Sequence, residues 1–111
     1  MTATLPPITE AQWQAQVTEL ATLLGWQWCH FRPAQTSHGW RTPVSGPIGA
    51  GMVDLILVQP NARRLLFVEL KRDGAKLRPD QERVHDVLRL AGADVRVWHP
   101  ADWPEVTETL R

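Results

Sequence analysis

Two apolar runs stand close together near the middle of the chain. Leu55-Ile56-Leu57-Val58 and Leu65-Leu66-Phe67-Val68 flank a polar, turn-forming stretch, Gln59-Pro60-Asn61-Ala62-Arg63-Arg64. Short runs of this composition joined by so brief a connection predict an antiparallel hairpin. The second run is apolar on both faces, which predicts a buried strand. Yet it continues directly into Glu69-Leu70-Lys71. Residues i and i+2 of a strand share a face, so the Glu69 carboxylate and the Lys71 ammonium point the same way. Burying a charge is costly unless it is paired or bound to a metal. Asp54, just before the first run, brings a second carboxylate to the neighbouring strand. Charges gathered at one end of a buried hairpin mark a candidate site.

The rest of the chain supplies elements to cover that hairpin. Thr9-x-x-Gln12 resembles a capping box and Gly25 is a natural stop, which predicts a helix from about Glu10 to Leu24 after a loose N-terminal tail. Trp13, Val17, Leu20 and Leu24 recur at helical spacing and form its predicted buried stripe. Gln12, Gln16, Glu19 and Leu23 flank the stripe, either as a plain boundary or with Gln16 or Glu19 reaching the site. Trp26 to Phe31 is rich in strand formers, with Trp26, Trp28 and His30 on one face and Gln27, Cys29 and Phe31 on the other. His30 suits a structural role better than a catalytic one.

Arg32 to Ala50 holds so much Pro, Gly and Ser that it predicts a long irregular loop. Arg32, Arg41, His38 and Trp40 lie in it, a mix able to grip phosphate and stack on a base; Trp40 is equally suited to plug a core edge. After the hairpin, Asp73-Gly74 signals a turn and Pro79 the first turn of a helix that runs to about Ala91 and stops at Gly92. Val84, Leu88 and Ala91 form its inward stripe, and Gln81 shares that face, either toward the site or satisfying a loop. Asp94 to Trp98 alternates as a strand, and Asp102-x-x-Glu105 with Pro104 opens a short last helix to about Leu110. The predicted order is α-β-loop-β-β-α-β-α, an α/β domain with a mixed central sheet flanked by helices.

At 111 residues and 43% apolar, the chain is long enough for one domain with a real core. It has no run long enough to span a membrane and no signal-peptide pattern. Cys29 is the sole cysteine, so no intrachain disulfide or thiolate cage can form. A reducing, cytoplasmic setting is expected. Net charge is zero but unevenly spread: residues 32–78 carry eight basic side chains against Asp54, Glu69 and Asp73, while the segments on either side are acidic. Most of the bases are Arg, whose planar fork suits phosphate. A basic middle third can meet a polyanion even in a neutral protein.

Asp54, Glu69 and Lys71 read as D-x14-E-x-K. Two carboxylates from adjacent strands, with the Leu70 backbone carbonyl between Glu69 and Lys71, offer oxygens to a hard ion such as Mg²⁺. Such an ion acidifies its water and withdraws charge from a phosphoryl oxygen, and a neighbouring Lys orients that water or stabilises developing charge. Phosphodiester hydrolysis needs these groups.

Gly51-x-x-Asp54 leading into an apolar strand, then Val68-Glu69-Leu70-Lys71, resembles the PD-(D/E)XK nucleases. Leu23-Leu24-Gly25-Trp26, the Arg-, Ser- and Gly-rich loop, Leu77-x-Pro79-x-Gln81 and Ala91-Gly92-Ala93-x-Val95-x-Val97-Trp98 narrow the likeness. Together they resemble a stand-alone VRR-NUC domain of the compact phage and bacterial kind related to Holliday junction resolvases, over about residues 9–110. The resemblance implies a restriction-endonuclease-like core, dependence on Mg²⁺ or Mn²⁺, branched or flapped DNA as substrate, and a homodimer. By matching positions it implies Asp54 and Glu69 as metal ligands, Lys71 as base or charge stabiliser, and Gln81 as the helix glutamine beside the site. It places Gln16 or Glu19 as the polar residue of the first helix. Val53 stands where the family usually has Pro, a position that shapes the lead-in to the strand and donates no ligand.

Arg32, Arg41, Arg72, Lys76 and Arg78 are the expected DNA contacts. They would equally serve a non-catalytic DNA-binding module on the same fold, against which the intact Asp54, Glu69 and Lys71 speak. A Ser-His-Asp hydrolase lacks any nucleophile-elbow spacing, and the histidines with Cys29 lack zinc-ligand spacing.

Overall fold

A computed structural model describes residues 7–31, 34–36, 39–42 and 44–111; of residues 34–36 and 40–41 it describes the backbone alone. The expectations for Arg32, Ser37 and His38, and for the side chains of Trp40 and Arg41, fall outside the described residues.

The elements run α1 (Glu10–Leu23), β1 (Gln27–His30), β2 (Ala34–Thr36), β3 (Gly39–Arg41), a 3-10 turn (Gly49–Gly51), β4 (Leu55–Gln59), β5 (Arg64–Leu70), α2 (Pro79–Leu90), β6 (Asp94–Trp98), a second 3-10 turn (Pro100–Asp102) and α3 (Trp103–Leu110). The predicted hairpin is β4–β5, antiparallel with Leu55 opposite Val68 and Gln59 opposite Arg64. β1 adds antiparallel to β4, and β6 adds parallel to β5, so the four-stranded sheet is mixed, in the order β1-β4-β5-β6. A parallel neighbour needs a crossover, and α2 supplies it. The segment expected to be irregular contains a short ribbon instead: β2 and β3 pair antiparallel, with Gln35 opposite Trp40. Its many Gly and Pro residues hid three-residue strands too short to show alternation.

One face of the sheet builds the core. Leu55, Leu57, Leu66, Val68 and Leu70 pack with Trp13, Val17 and Ala21 of α1, Trp26, Trp98, and Val106 and Leu110 of α3. The Thr9–Gln12 capping box forms at both ends, Thr9 N–H to Gln12 Oε1 (2.8 Å) and Gln12 N–H to Thr9 Oγ1 (3.1 Å), and Gly25 takes the left-handed conformation expected of a helix stop, φ +85°. The stripe is set differently from its prediction. Thr18 and Ala21 are buried and Leu24 is exposed, because the chain has already left the helix at Leu24. Thr18 is tolerated there because its hydroxyl donates to Gln14 O (3.0 Å).

Indole N–H groups tie the layers together. Trp13 Nε1 donates to Trp98 O (3.0 Å) and Trp26 Nε1 to Leu110 O (2.9 Å). Trp28 shares the core face of β1 but lies at its edge, 42% exposed, its Nε1 reaching Thr22 Oγ1 (3.0 Å). α2 covers part of the other sheet face and packs on β6 and the Gly49–Gly51 turn. Its buried residues are Gln81, Val84 and His85, not Leu88 and Ala91: Leu88 is half-buried and Ala91 exposed. Beyond the reach of α2, Val58 and Leu65 stay exposed.

Candidate active site

Pairing places the candidate residues in one row. His30 lies opposite Leu55, and Leu55 opposite Val68. One step beyond, Phe31 donates its N–H to Asp54 O (2.8 Å), and Asp54 comes opposite Glu69. Phe31, Asp54 and Glu69 thus line up across three strands on one face. Asp54 sits just ahead of β4, and its Oδ1 accepts the Leu70 N–H (3.3 Å), which clamps the lead-in of β4 to the end of β5. Lys71 follows β5 with its Nζ 3.9 Å from Glu69 Oε2, on the same side as Glu69, as the two-residue repeat predicts. The Lys71 N–H is held by Trp98 O (3.0 Å), the same carbonyl that accepts from Trp13. The core therefore fixes the backbone that carries the lysine.

Both carboxyl groups are uncomfortable as anions. Burial pushes Asp54 up to about 7, against the lowering bond from Leu70 N–H. Burial, then the charge of Asp54, pushes Glu69 up to about 8, with Lys71 pulling the other way. Glu69 is only 4% exposed, and its Oε1 is buried without a hydrogen-bond partner. A buried acceptor left in this state is expensive unless a cation or proton meets it. Among the described residues no group of three or more His, Cys, Asp or Glu gathers to hold a metal ion. Two carboxylates are nonetheless an ordinary protein share for Mg²⁺, which keeps much of its water.

A cavity of about 880 Å³ opens over the pair. Glu10 and Gln14 of α1 line it, and the charge of Glu10 raises both carboxyl groups. Gln16 and Glu19 do not line it. At about 100° per residue, Glu19 lies across the helix from Glu10 and Gln16 about a third of a turn away. The register of the helix, unreadable from its flank pattern, decides which polar residue reaches the cavity.

Gln81 also lines the cavity and is buried, but its carbonyl end is committed: Oε1 accepts the Arg78 N–H (2.9 Å) and caps α2. Its amide NH₂ end is what it can turn to a ligand. One turn further on, His85 is fully buried, neither ring nitrogen has a hydrogen-bond partner, and burial followed by the charge of Arg89 lowers its pKa. Only its spacing from Gln81 signalled it.

The cations divide. Arg78 lines the cavity and donates to Ala50 O (3.2 Å), while Arg72 and Lys76 are exposed on the loop between Lys71 and α2. Arg83, not anticipated, reaches Pro47 O (2.6 Å). Arg63 and Arg64 sit at the far end of the sheet, where Arg64 lies 5.0 Å over the Trp26 ring and donates to Thr109 O (2.6 Å). Part of the basic middle third thus serves the fold.

The family profile of the VRR-NUC domain matches residues 44–102, more than half of the chain and the stretch that holds Asp54, Glu69, Lys71 and Gln81. The chain belongs to the VRR-NUC domain family. A solved structure described as a VRR_NUC domain has the same fold, with a TM-score of 0.67 over 91% of this chain and 92% of that one at 24% identity. No curated protein matches the chain. VRR-NUC domains form a nuclease-type, DNA-processing family, and the mixed sheet with flanking helices described above is that family's fold.

Proposed function

We propose that this VRR-NUC domain is an endonuclease that hydrolyses phosphodiester bonds of branched, flapped or junction DNA, with Mg²⁺ or Mn²⁺ held by Asp54, Glu69 and the Leu70 carbonyl, and that it acts as a homodimer. The carboxyl pair of half-buried Asp54 and buried Glu69 carries this proposal. Both carboxyl groups are pushed toward neutrality, and Glu69 Oε1 has no hydrogen-bond partner. The donor set is all oxygen, the chemistry of a hard divalent ion. When bound, the ion supplies Lewis acidity and an acidified water.

The protein's own groups do the rest. Lys71 stands beside Glu69 as the cation for the attacking water or the developing negative charge. The NH₂ end of Gln81 is a neutral donor for a phosphate oxygen at the cavity wall. Arg72, Lys76 and Arg78, joined by Arg32 and Arg41 from the preceding segment, hold the flanking phosphates. The homodimer rests on the family resemblance: a symmetric junction invites a two-fold enzyme.

The test is a cleavage panel of linear duplex, flap, splayed arm, four-way junction and single strand, with Mg²⁺, Mn²⁺ or EDTA. Cleavage of branched substrates that vanishes in EDTA and in Asp54→Asn is expected. Undiminished cleavage in EDTA would overturn the metal assignment. Tight DNA binding without cleavage under any ion would make the chain a binding module.

A further inference from the structure

The cavity over the carboxylates is larger and more apolar than a phosphate needs. Beside Asp54 and Glu69 its walls include the apolar Phe31, Val44, Ile48, Met52 and Val53. The backbone of an intact duplex presents charged phosphates and sugars, which gain little from such walls. Phe31 is placed by the ladder, its N–H on Asp54 O, so that its side chain stands in the same row as the two carboxylates. Residues directly opposite in an antiparallel pair have Cβ atoms about 5 Å apart. Phe31 is 36% exposed although it lines a cavity. At about 880 Å³ the cavity falls within the range of ligand sites, about 300–1,000 Å³. Gln14, Thr42 and Ser45 add polar groups to the lining, suited to the edges of a planar heterocycle.

We infer that this apolar half of the cavity is a nucleobase pocket: it takes one unstacked base, on Phe31, from the strand whose phosphate lies at Asp54 and Glu69. The inference deepens the nuclease proposal, on which it rests for the position of the phosphate. It gives a physical reason for structure selectivity. A base inside a duplex must be unstacked and unpaired before it can enter, whereas a base in a flap or splayed arm is already free. Stacking on an aromatic ring tolerates any base, because every base has a π-face, so the pocket selects single-stranded character without reading sequence.

The experiment pairs Phe31 variants with missing bases. Binding of a splayed-arm duplex is measured by fluorescence anisotropy in Ca²⁺, with a single abasic site stepped through the arms beside the branch. Wild type should lose about tenfold in affinity at one abasic position. Phe31→Ala should lose about as much on the intact substrate and nothing further at that position, while Phe31→Trp keeps wild-type behaviour. An equal loss for Phe31→Ala on intact and abasic substrates, indifference of wild type to every abasic position, or failure to bind any arm would overturn the pocket. Cleavage of the same substrates in Mg²⁺ separates the two proposals. If the non-additive pattern holds but nothing is cut, the nuclease proposal falls and the pocket stands. If the arms are cut but the losses add, the pocket falls alone.

Discussion

Glu69 is where the fold and the chemistry compete. Its neighbours along β5, Val68 and Leu70, are core residues, and the strand that buries them carries the carboxylate in as well. Folding therefore takes up protons at Asp54 and Glu69, since both pKa values rise above their ordinary range. The stability linked to this pair is fully present below the ordinary carboxylate range and is lost as pH rises through about 7 to 8. Without divalent ion, wild type should melt at a lower temperature above pH 8 than in mildly acid buffer. The double variant Asp54→Asn, Glu69→Gln should flatten that dependence, and Mg²⁺ or Mn²⁺ should raise the alkaline melting temperature of wild type only. Scanning calorimetry across pH checks all three; an unchanged slope in the double variant would refute the assignment. Lys71→Ala should lower single-turnover cleavage at saturating DNA by orders of magnitude. A loss confined to affinity would make Lys71 a phosphate contact instead.

Elements, more than residues, decide what surrounds that pair. The boundaries of α1 were legible because Thr9, Gln12 and Gly25 act locally, each on backbone groups within a few residues. The face that α1 turns to the site was not, because its polar positions differ only in what the sheet presents to them. Glu10 and Gln14 line the cavity, and Gln16 and Glu19 do not. Thr9→Ala should cost about 1 kcal/mol in denaturant unfolding. The seat of α2 depends on Gly51: a Cβ there would meet the Asp80 backbone oxygen and Val84 Cγ2. Gly51→Ala should lift the first turn of α2, shifting Arg78 and Gln81, and lower both melting temperature and cleavage rate. Gly49→Ala meets the side chain of half-exposed Val44 instead and should be milder. Equal tolerance of both would mean that α2 is not seated through Gly51.

Across the whole molecule, charge and distance sort the cations. Lys76 lies on the loop after Lys71, Arg64 is at the opposite end of the sheet, and Arg111, just past α3, pairs at 4.0 Å with Glu108 in that helix. Phosphate contacts release counterions, so DNA affinity should fall steeply with salt. Lys76→Ala and Arg41→Ala should each weaken binding and reduce the salt slope by about one unit. Arg111→Ala should do neither, and Arg64→Ala should cost stability without changing the slope. Titrations at several salt concentrations, with melting curves for Arg64→Ala, test this; an effect of Arg111→Ala equal to that of Arg41→Ala would misplace the channel.

Local chemistry made much of this protein legible in advance. The apolar runs with a short polar connection determined the β4–β5 hairpin, and the two-residue repeat determined that Glu69 and Lys71 share a side. Capping and stop residues bounded α1 and α2. Contacts between residues distant in sequence were decided only by tertiary structure. Packing set the rotation of α1, so Glu10 and Gln14 line the cavity. Register across β1 and β4 set Phe31 beside Asp54. The Trp98 carbonyl, shared by Trp13 and Lys71, joins three elements that no local pattern connects. A side chain's own preferences are written in its neighbours along the chain, but which partner it meets depends on how whole elements pack, and that is settled by burying the core as one unit.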